Sequence, residues 1–139
     1  MDNLEQITLQ SRAKICCEHV LVVDDEELMR EYVVQLVTTF GYRVSAAASG
    51  EQGLEIIREQ GDVDLLLTDI VMPGMSGPDL ADAAKQIRPE LCILFTSGRN
   101  REAIVGELPD QKIAFLQKPY RRKVLADRLR ALLDSRPDL

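Results

Sequence analysis

The chain has 139 residues, 45% of them hydrophobic, with 17 lysines and arginines against 23 aspartates and glutamates and a net charge of -6. One domain accounts for that length, the apolar content excludes a disordered chain, and the acidic balance excludes an ordinary basic nucleic-acid surface. Apolar runs such as Val20 to Val23 and Leu65 to Leu67 fall far short of the roughly 18–20 residues of a bilayer span.

The start, Met1-Asp2-Asn3-Leu4-Glu5, is acidic where a secretory leader is basic and then apolar, so the expected setting is the cytoplasm, with no membrane and no direct nucleic-acid partner. Cys16, Cys17 and Cys92 show neither zinc nor disulfide spacing and are read as structural. Residues 1–18 carry no sustained period and are expected to form an arm or linker before a domain over residues 19–134 and a tail over residues 135–139.

From His19 onward short apolar runs alternate with helical periods, the pattern of an α/β domain with a parallel sheet. Val20 to Val23 is the first strand, and a helix follows from about Glu27 to Phe40, with Leu28, Tyr32, Leu36 and Phe40 recurring at i+4 as its expected apolar stripe. Gly41 ends it. A second strand near Arg43 to Ala47 leads through Ser49, an N-cap candidate, to a helix bearing Leu54 and Ile57 that Gly61 closes.

The third strand, Asp64 to Thr68, is apolar on both faces, as suits a central strand covered on both sides, and it ends at Asp69. The segment Ile70-Val71-Met72-Pro73-Gly74-Met75-Ser76-Gly77 is a break before a helix bearing Leu80, Ala83, Ala84 and Ile87. Cys92 to Thr96 is the fourth strand, Asn100 to Glu107 a weak helix, and Ile113 to Gln117 the fifth strand. The last helix carries Leu125, Leu129, Leu132 and Leu133 on one stripe and stops before Pro137.

Right-handed crossovers point all strands of such a doubly wound sheet the same way, so the strand C-terminal ends gather on one edge, where ligands of open α/β sheets bind. Asp24-Asp25 ends the first strand, Asp69 the third, Thr96-Ser97 the fourth and Lys118 the fifth. Gathered carboxylates repel by roughly 4 kcal/mol per pair about 4 Å apart at an effective dielectric near 20. Lys118 supplies one compensating charge, and a divalent cation is the natural supplier of the rest. With oxygen donors and no His or Cys among them, Mg2+ or Mn2+ is favoured. His19, the only histidine, reads as a partly exposed strand-end residue.

Four segments in this order strongly resemble the receiver domain of two-component response regulators: Leu21-Val22-Val23-Asp24-Asp25-Glu26, Thr68-Asp69-Ile70-Val71-Met72-Pro73-Gly74-Met75-Ser76-Gly77, Phe95-Thr96-Ser97-Gly98 and Phe115-Leu116-Gln117-Lys118-Pro119. The resemblance runs from about Val20 to Leu133 and implies a flavodoxin-like five-stranded parallel sheet in the order 2-1-3-4-5. It implies that Asp69 accepts a phosphoryl group from a phosphohistidine on a histidine kinase or phosphotransfer protein, chemistry that a carboxylate nucleophile can perform.

By the same resemblance Asp25, Asp69 and the Val71 carbonyl hold Mg2+, with Asp24 acting through water, and Lys118 pairs with Asp69 and later with the phosphoryl group. Ser97 and Phe115 form the switch pair, and Lys118-Pro119 is expected to be cis. The readout face, for a downstream protein or a second copy of the chain, is built from the helix expected over residues 100–107, the fifth strand and the last helix, and includes Arg101, Arg121, Arg122 and Lys123. Phe115 and Tyr120 replace the commoner tyrosine and phenylalanine of the family.

The chain is then a signalling phosphoacceptor, not an enzyme acting on separate substrates. The expectation is that no output module follows Leu139 and that the chain acts by contact. A Mg2+-dependent phosphatase with an aspartyl nucleophile commonly has a second Asp two residues on, where Val71 stands. A flavin-binding domain of the same topology would want amide donors and hydroxyls where Asp24-Asp25 stand. The remaining alternative is a degenerate receiver, a phosphorylation-independent binding module, which the intact Asp24-Asp25, Asp69, Ser97 and Lys118 speak against.

Overall fold

The alternating pattern resolves, in a computed structural model that describes residues 18–98 and 114–136, into strands and helices in the expected order. They are β1 (His19–Val23), α1 (Glu27–Thr39), β2 (Arg43–Ala47), α2 (Gly50–Gln60), β3 (Leu65–Asp69), α3 (Gly77–Ile87), β4 (Cys92–Ser97), β5 (Phe115–Gln117) and α4 (Arg122–Asp134). The helix expected over residues 100–107 lies outside the described residues, as do Cys16, Cys17 and Arg101.

The strands form one sheet in the order β2-β1-β3-β4-β5, every pairing parallel. Strand parity assigns each residue to one of two apolar layers. Val20 and Val22 of β1, Leu65 and Leu67 of β3 and Leu94 of β4 pack with Val33 and Val37 of α1 and Leu125, Leu129 and Leu133 of α4. Their neighbours Leu21, Val23 and Leu66 face the other way, against Leu54 and Ile57 of α2 and Leu80 and Ala84 of α3. Both faces of β1 and β3 are therefore dry, which is why these strands read as continuous apolar runs.

Local signals set the helix ends. Ser49 and Ser76 accept hydrogen bonds from the backbone N–H groups of Gln52 and Asp79, both at 3.2 Å. Gly61 ends α2 with φ +67°, a left-handed turn that a side chain would disfavour.

The sequence reading of α1 needs correction. The start of its i+4 stripe does not face the sheet: Leu28 is 81% and Tyr32 49% exposed, and only Leu36 of the three is buried. The buried residues are Val33, Leu36 and Val37, with Met29 half-buried beside them. An i+4 series drifts around the helix relative to its 3.6-residue turn, and here the β-branched valines at 33 and 37 hold the inner face. His19 is likewise buried, not partly exposed. Its Nδ1 lies 3.0 Å from Asp62 Oδ1 and its Nε2 2.7 Å from Ser45 Oγ.

Candidate functional site

Parallel strands deliver Asp24, Asp69, Thr96, Ser97 and Lys118 to one edge, each just at or after the end of an apolar strand. Asp24 and Asp69 are buried while Asp25 is exposed, and these three carboxylates can offer ligand atoms that all lie within 4.8 Å of one another. Lys118 Nζ stands between two of them, 2.7 Å from Asp69 Oδ1 and 3.1 Å from Asp24 Oδ2. Lys118-Pro119 is cis, as the resemblance implied, and the Lys118 N–H donates to Ser97 O at 2.7 Å.

Asp24 is pinned on every polar atom. Its N–H donates to Ala47 O at 3.2 Å, its carbonyl accepts from Arg30 Nη1 at 2.9 Å, and its Oδ1 accepts from the Glu26 N–H at 2.9 Å. Asp69 is held differently: Thr96 Oγ1 donates to Oδ1 at 3.0 Å, the same oxygen that faces Lys118. The β3–α3 turn folds back tightly on the Asp69 backbone. A Cβ added at Gly77 would sit 2.0 Å from Asp69 O, while the Gly77 N–H donates to Ile70 O at 2.9 Å, so only glycine lets α3 start there.

Among the described residues, charge at this edge is undercompensated. Burial raises the Asp69 pKa to about 6; Lys118 pulls it down, but with Asp24 adding to burial the upward effects win. Burial opposes the charge on Lys118, yet its contacts with Asp69 and Asp24 still raise its pKa above the ordinary lysine value. Both shifts are upward, which disfavours the charge on Asp69 and favours that on Lys118, because two acids share one ammonium: the lysine gains from both, and the acids divide a single partner. Tyr120 is pushed above the usual phenol range, first by burial and then by the charges of Asp24 and Asp69.

The donor set fits a hard divalent cation. Clustered carboxylate oxygens with no His or Cys among them suit Mg2+ or Mn2+ over softer metals. Val71, 58% exposed, lies two residues beyond Asp69 and lines a cavity of about 360 Å3 together with Ile70, Met72, Ser76, Pro78 and Asp79.

Of the residues expected to act, Asp24, Asp25, Asp69 and Lys118 converge. Ser97 is buried at the end of β4, and Phe115 is half-buried at the start of β5, packed against the buried cluster of Ile70, Ala81 and Phe95. Strand parity turns Thr96 toward the layer of Leu94 and Leu67, the side of Asp69, and Ser97 toward the layer of Phe95. Sequence reasoning gave Thr96 no role of its own, although that parity was its signal. Arg30 left no such signal, since only the path of α1 brings it to the Asp24 carbonyl. On the expected readout face, Arg122 stacks over Phe40 at 5.3 Å and Lys123 pairs with Asp127 at 3.0 Å.

Comparison with known proteins agrees with this geometry. The family model of the response regulator receiver domain matches residues 20–130. The response regulator receiver protein CpdR of Brucella abortus (strain 2308) is 32% identical over 117 residues, which is 84% of this chain and 97% of that protein. The sensor kinase CckA of the same strain is 39% identical over 118 residues, again 84% of this chain, of which the chain spans only 12%. It spans 50% of the transcriptional regulatory protein AfsQ1 of Streptomyces coelicolor.

Among solved structures, the receiver domain of the hybrid histidine kinase CckA superposes with a TM-score of 0.70 at 34% identity, covering 83% of this chain and 98% of that one. A receiver protein from Sinorhizobium medicae WSM419 reaches 0.79 at 24% identity over 87% and 98%, a likeness of fold. No helix among the described residues is long and apolar enough to cross a membrane.

Proposed function

The chain belongs to the response regulator receiver family, and from that premise we propose that it accepts a phosphoryl group on Asp69 in a cytoplasmic two-component or phosphorelay pathway. The observation that carries this reading is the buried Asp69 at the end of the central strand, 2.7 Å from Lys118 and clustered with two further carboxylates. An Asp69 carboxylate oxygen attacks the phosphorus of a phosphohistidine. The new O–P bond forms as the P–N bond breaks, and the departing electron pair stays on the imidazole of the kinase or phosphotransfer protein.

This chain's part is to position the carboxylate and neutralise charge. Lys118, shared at rest between Asp69 and Asp24, is placed to follow the phosphoryl oxygens. Asp24, Asp25, Asp69 and the Val71 carbonyl would hold Mg2+, or Mn2+, whose chemistry when bound is to neutralise phosphoryl charge. Ser97 bonds the new phosphoryl group and Phe115 turns with it, a two-state element whose coupling is typically about 1–3 kcal/mol. The readout is the face bearing β5 and the start of α4, with Arg121, Arg122 and Lys123, offered to a downstream protein or a second copy of the chain.

Intact mass after incubation with acetyl phosphate, and separately with a purified phosphorylated histidine kinase, tests the reading on wild type and Asp69→Asn. The expected result is a phosphoryl-sized increment that needs both Mg2+ and Asp69. No increment from either donor would overturn it in favour of a phosphorylation-independent binding module.

A further inference from the structure

The Asp69 carboxylate has a second donor that the family resemblance does not call for. Thr96, the register partner of Asp69 in the β3–β4 pairing, is 3% exposed and donates from Oγ1 to Asp69 Oδ1 at 3.0 Å. A threonine within a strand has few rotamers open to it, so the hydroxyl is fixed by the sheet itself. Lys118, by contrast, divides its ammonium between Asp69 and Asp24.

Resting on the phosphoacceptor reading above, we propose that Thr96 is a catalytic residue of the return reaction, whose hydroxyl shortens the lifetime of the acyl phosphate on Asp69. The argument is one of differential hydrogen bonding. A hydroxyl bonds an ionised carboxylate more strongly than the oxygens of a neutral acyl group. Phosphorylation therefore weakens the Thr96 bond, and dephosphorylation restores it. In hydrolysis, water attacks phosphorus, the O–P bond to Asp69 breaks, and its electron pair returns to the carboxylate, releasing inorganic phosphate and a proton. Charge grows on the carboxylate as that bond breaks, where Thr96 already points a donor, so the transition state gains more from the hydroxyl than the acyl phosphate does. Ser97 lies on the opposite parity, toward the layer of Phe95, and its proposed role toward the phosphoryl group is separate from that of Thr96.

The test is the half-life of the phosphorylated protein, labelled by acetyl phosphate with Mg2+ and then freed of donor, in wild type, Thr96→Val and Thr96→Ser, with thermal midpoints measured on all three. Thr96→Val keeps the shape and removes the hydroxyl, and Thr96→Ala replaces it if that variant does not fold. The expected result is a half-life about tenfold longer without the hydroxyl, the size of one charge-assisted hydrogen bond. Thr96→Ser should stay within about twofold of wild type, because it retains that donor. An unchanged or shorter half-life without the hydroxyl, or equal lengthening in Thr96→Ser, would overturn the proposal while leaving Asp69 as the phosphoacceptor. Failure of wild type to take label from acetyl phosphate or kinase would remove both.

Discussion

The two edges of the sheet carry the same residue types and come to opposite ends. At the N-terminal edge Glu18, Asp62 and Asp64 are each paired with cations, of which Arg130 is shared with Asp134 and Arg88 with Glu90. Glu18, buried just before β1, pairs with Arg130 at 2.7 and 3.1 Å and with Arg136 at 2.7 Å. Asp64 accepts from Arg136 at 2.8 Å and from the His19 N–H at 2.8 Å, with Arg88 at 3.5 Å, while Asp62 sits between His19 and Arg43.

At the C-terminal edge, among the described residues, Asp24 and Asp69 share one lysine side chain with Asp25 clustered beside them, and Arg30 is spent on a carbonyl. Buried charge that is fully paired becomes a fixed part of the fold, whereas buried charge left short of partners holds a demand for an incoming cation or phosphoryl group. The first arrangement fastens β1 to the end of α4, across the layer of Val20 and Leu129. The second is what the proposed phosphoryl acceptance on Asp69 would use.

The largest effect that would break this comparison is chemical. Asp69→Asn should abolish phosphoryl labelling by intact mass, and retained labelling would move the acceptor elsewhere. Next is cation linkage: Mg2+ at about a hundred times its Kd should stabilise wild type by about 2.7 kcal/mol. Asp25→Asn should lose most of that gain in urea unfolding followed with and without Mg2+, and an equal gain in both proteins would place the ion away from the acidic cluster.

At the opposite edge Glu18→Gln should cost about 2 kcal/mol by leaving two arginines without their shared anion. Its urea midpoint should fall while its labelling rate stays that of wild type, and a changed rate would couple the two edges.

The smallest effect concerns pH. Hydrogen bonds from His19 and then Arg43 hold the Asp62 carboxyl below its ordinary value of 3.8. A carboxylate lowered in the folded state contributes stability above its unfolded pKa and loses it as pH falls through the folded one. Asp62→Asn should therefore cost little near neutral pH, under about 1 kcal/mol for a half-exposed pair. The gap to wild type should close in urea titrations taken down through pH 4 and below, and a gap that widened with acid would reverse the assignment.

Much of the site was legible because a parallel sheet converts sequence position into place. Asp24, Asp69, Ser97 and Lys118 each end an apolar run, and the crossover rule alone sends such ends to one edge. Two helix ends were legible for the same local reason: Ser49 and Gly61 act within a few residues of themselves.

What failed involved partners distant in sequence. The stripe through Leu28 and Tyr32 and the one through Met29, Val33 and Val37 both satisfy a helical period, and only the seating of α1 on the sheet selects the second. Glu18 stands alone in the sequence, and its cations arrive from more than a hundred residues away.

By itself, then, the sequence determined the order of elements, the edge where the acids gather and the family, since each follows from short-range pattern and strand polarity. Tertiary structure decided which hydroxyl of Thr96-Ser97 meets Asp69, that Lys118 is divided between two carboxylates, and that His19 and Glu18 are buried. Those outcomes depend on strand register and on the distance between groups brought together by folding, and electrostatic and hydrogen-bond energies change steeply over the few ångströms that register and packing fix.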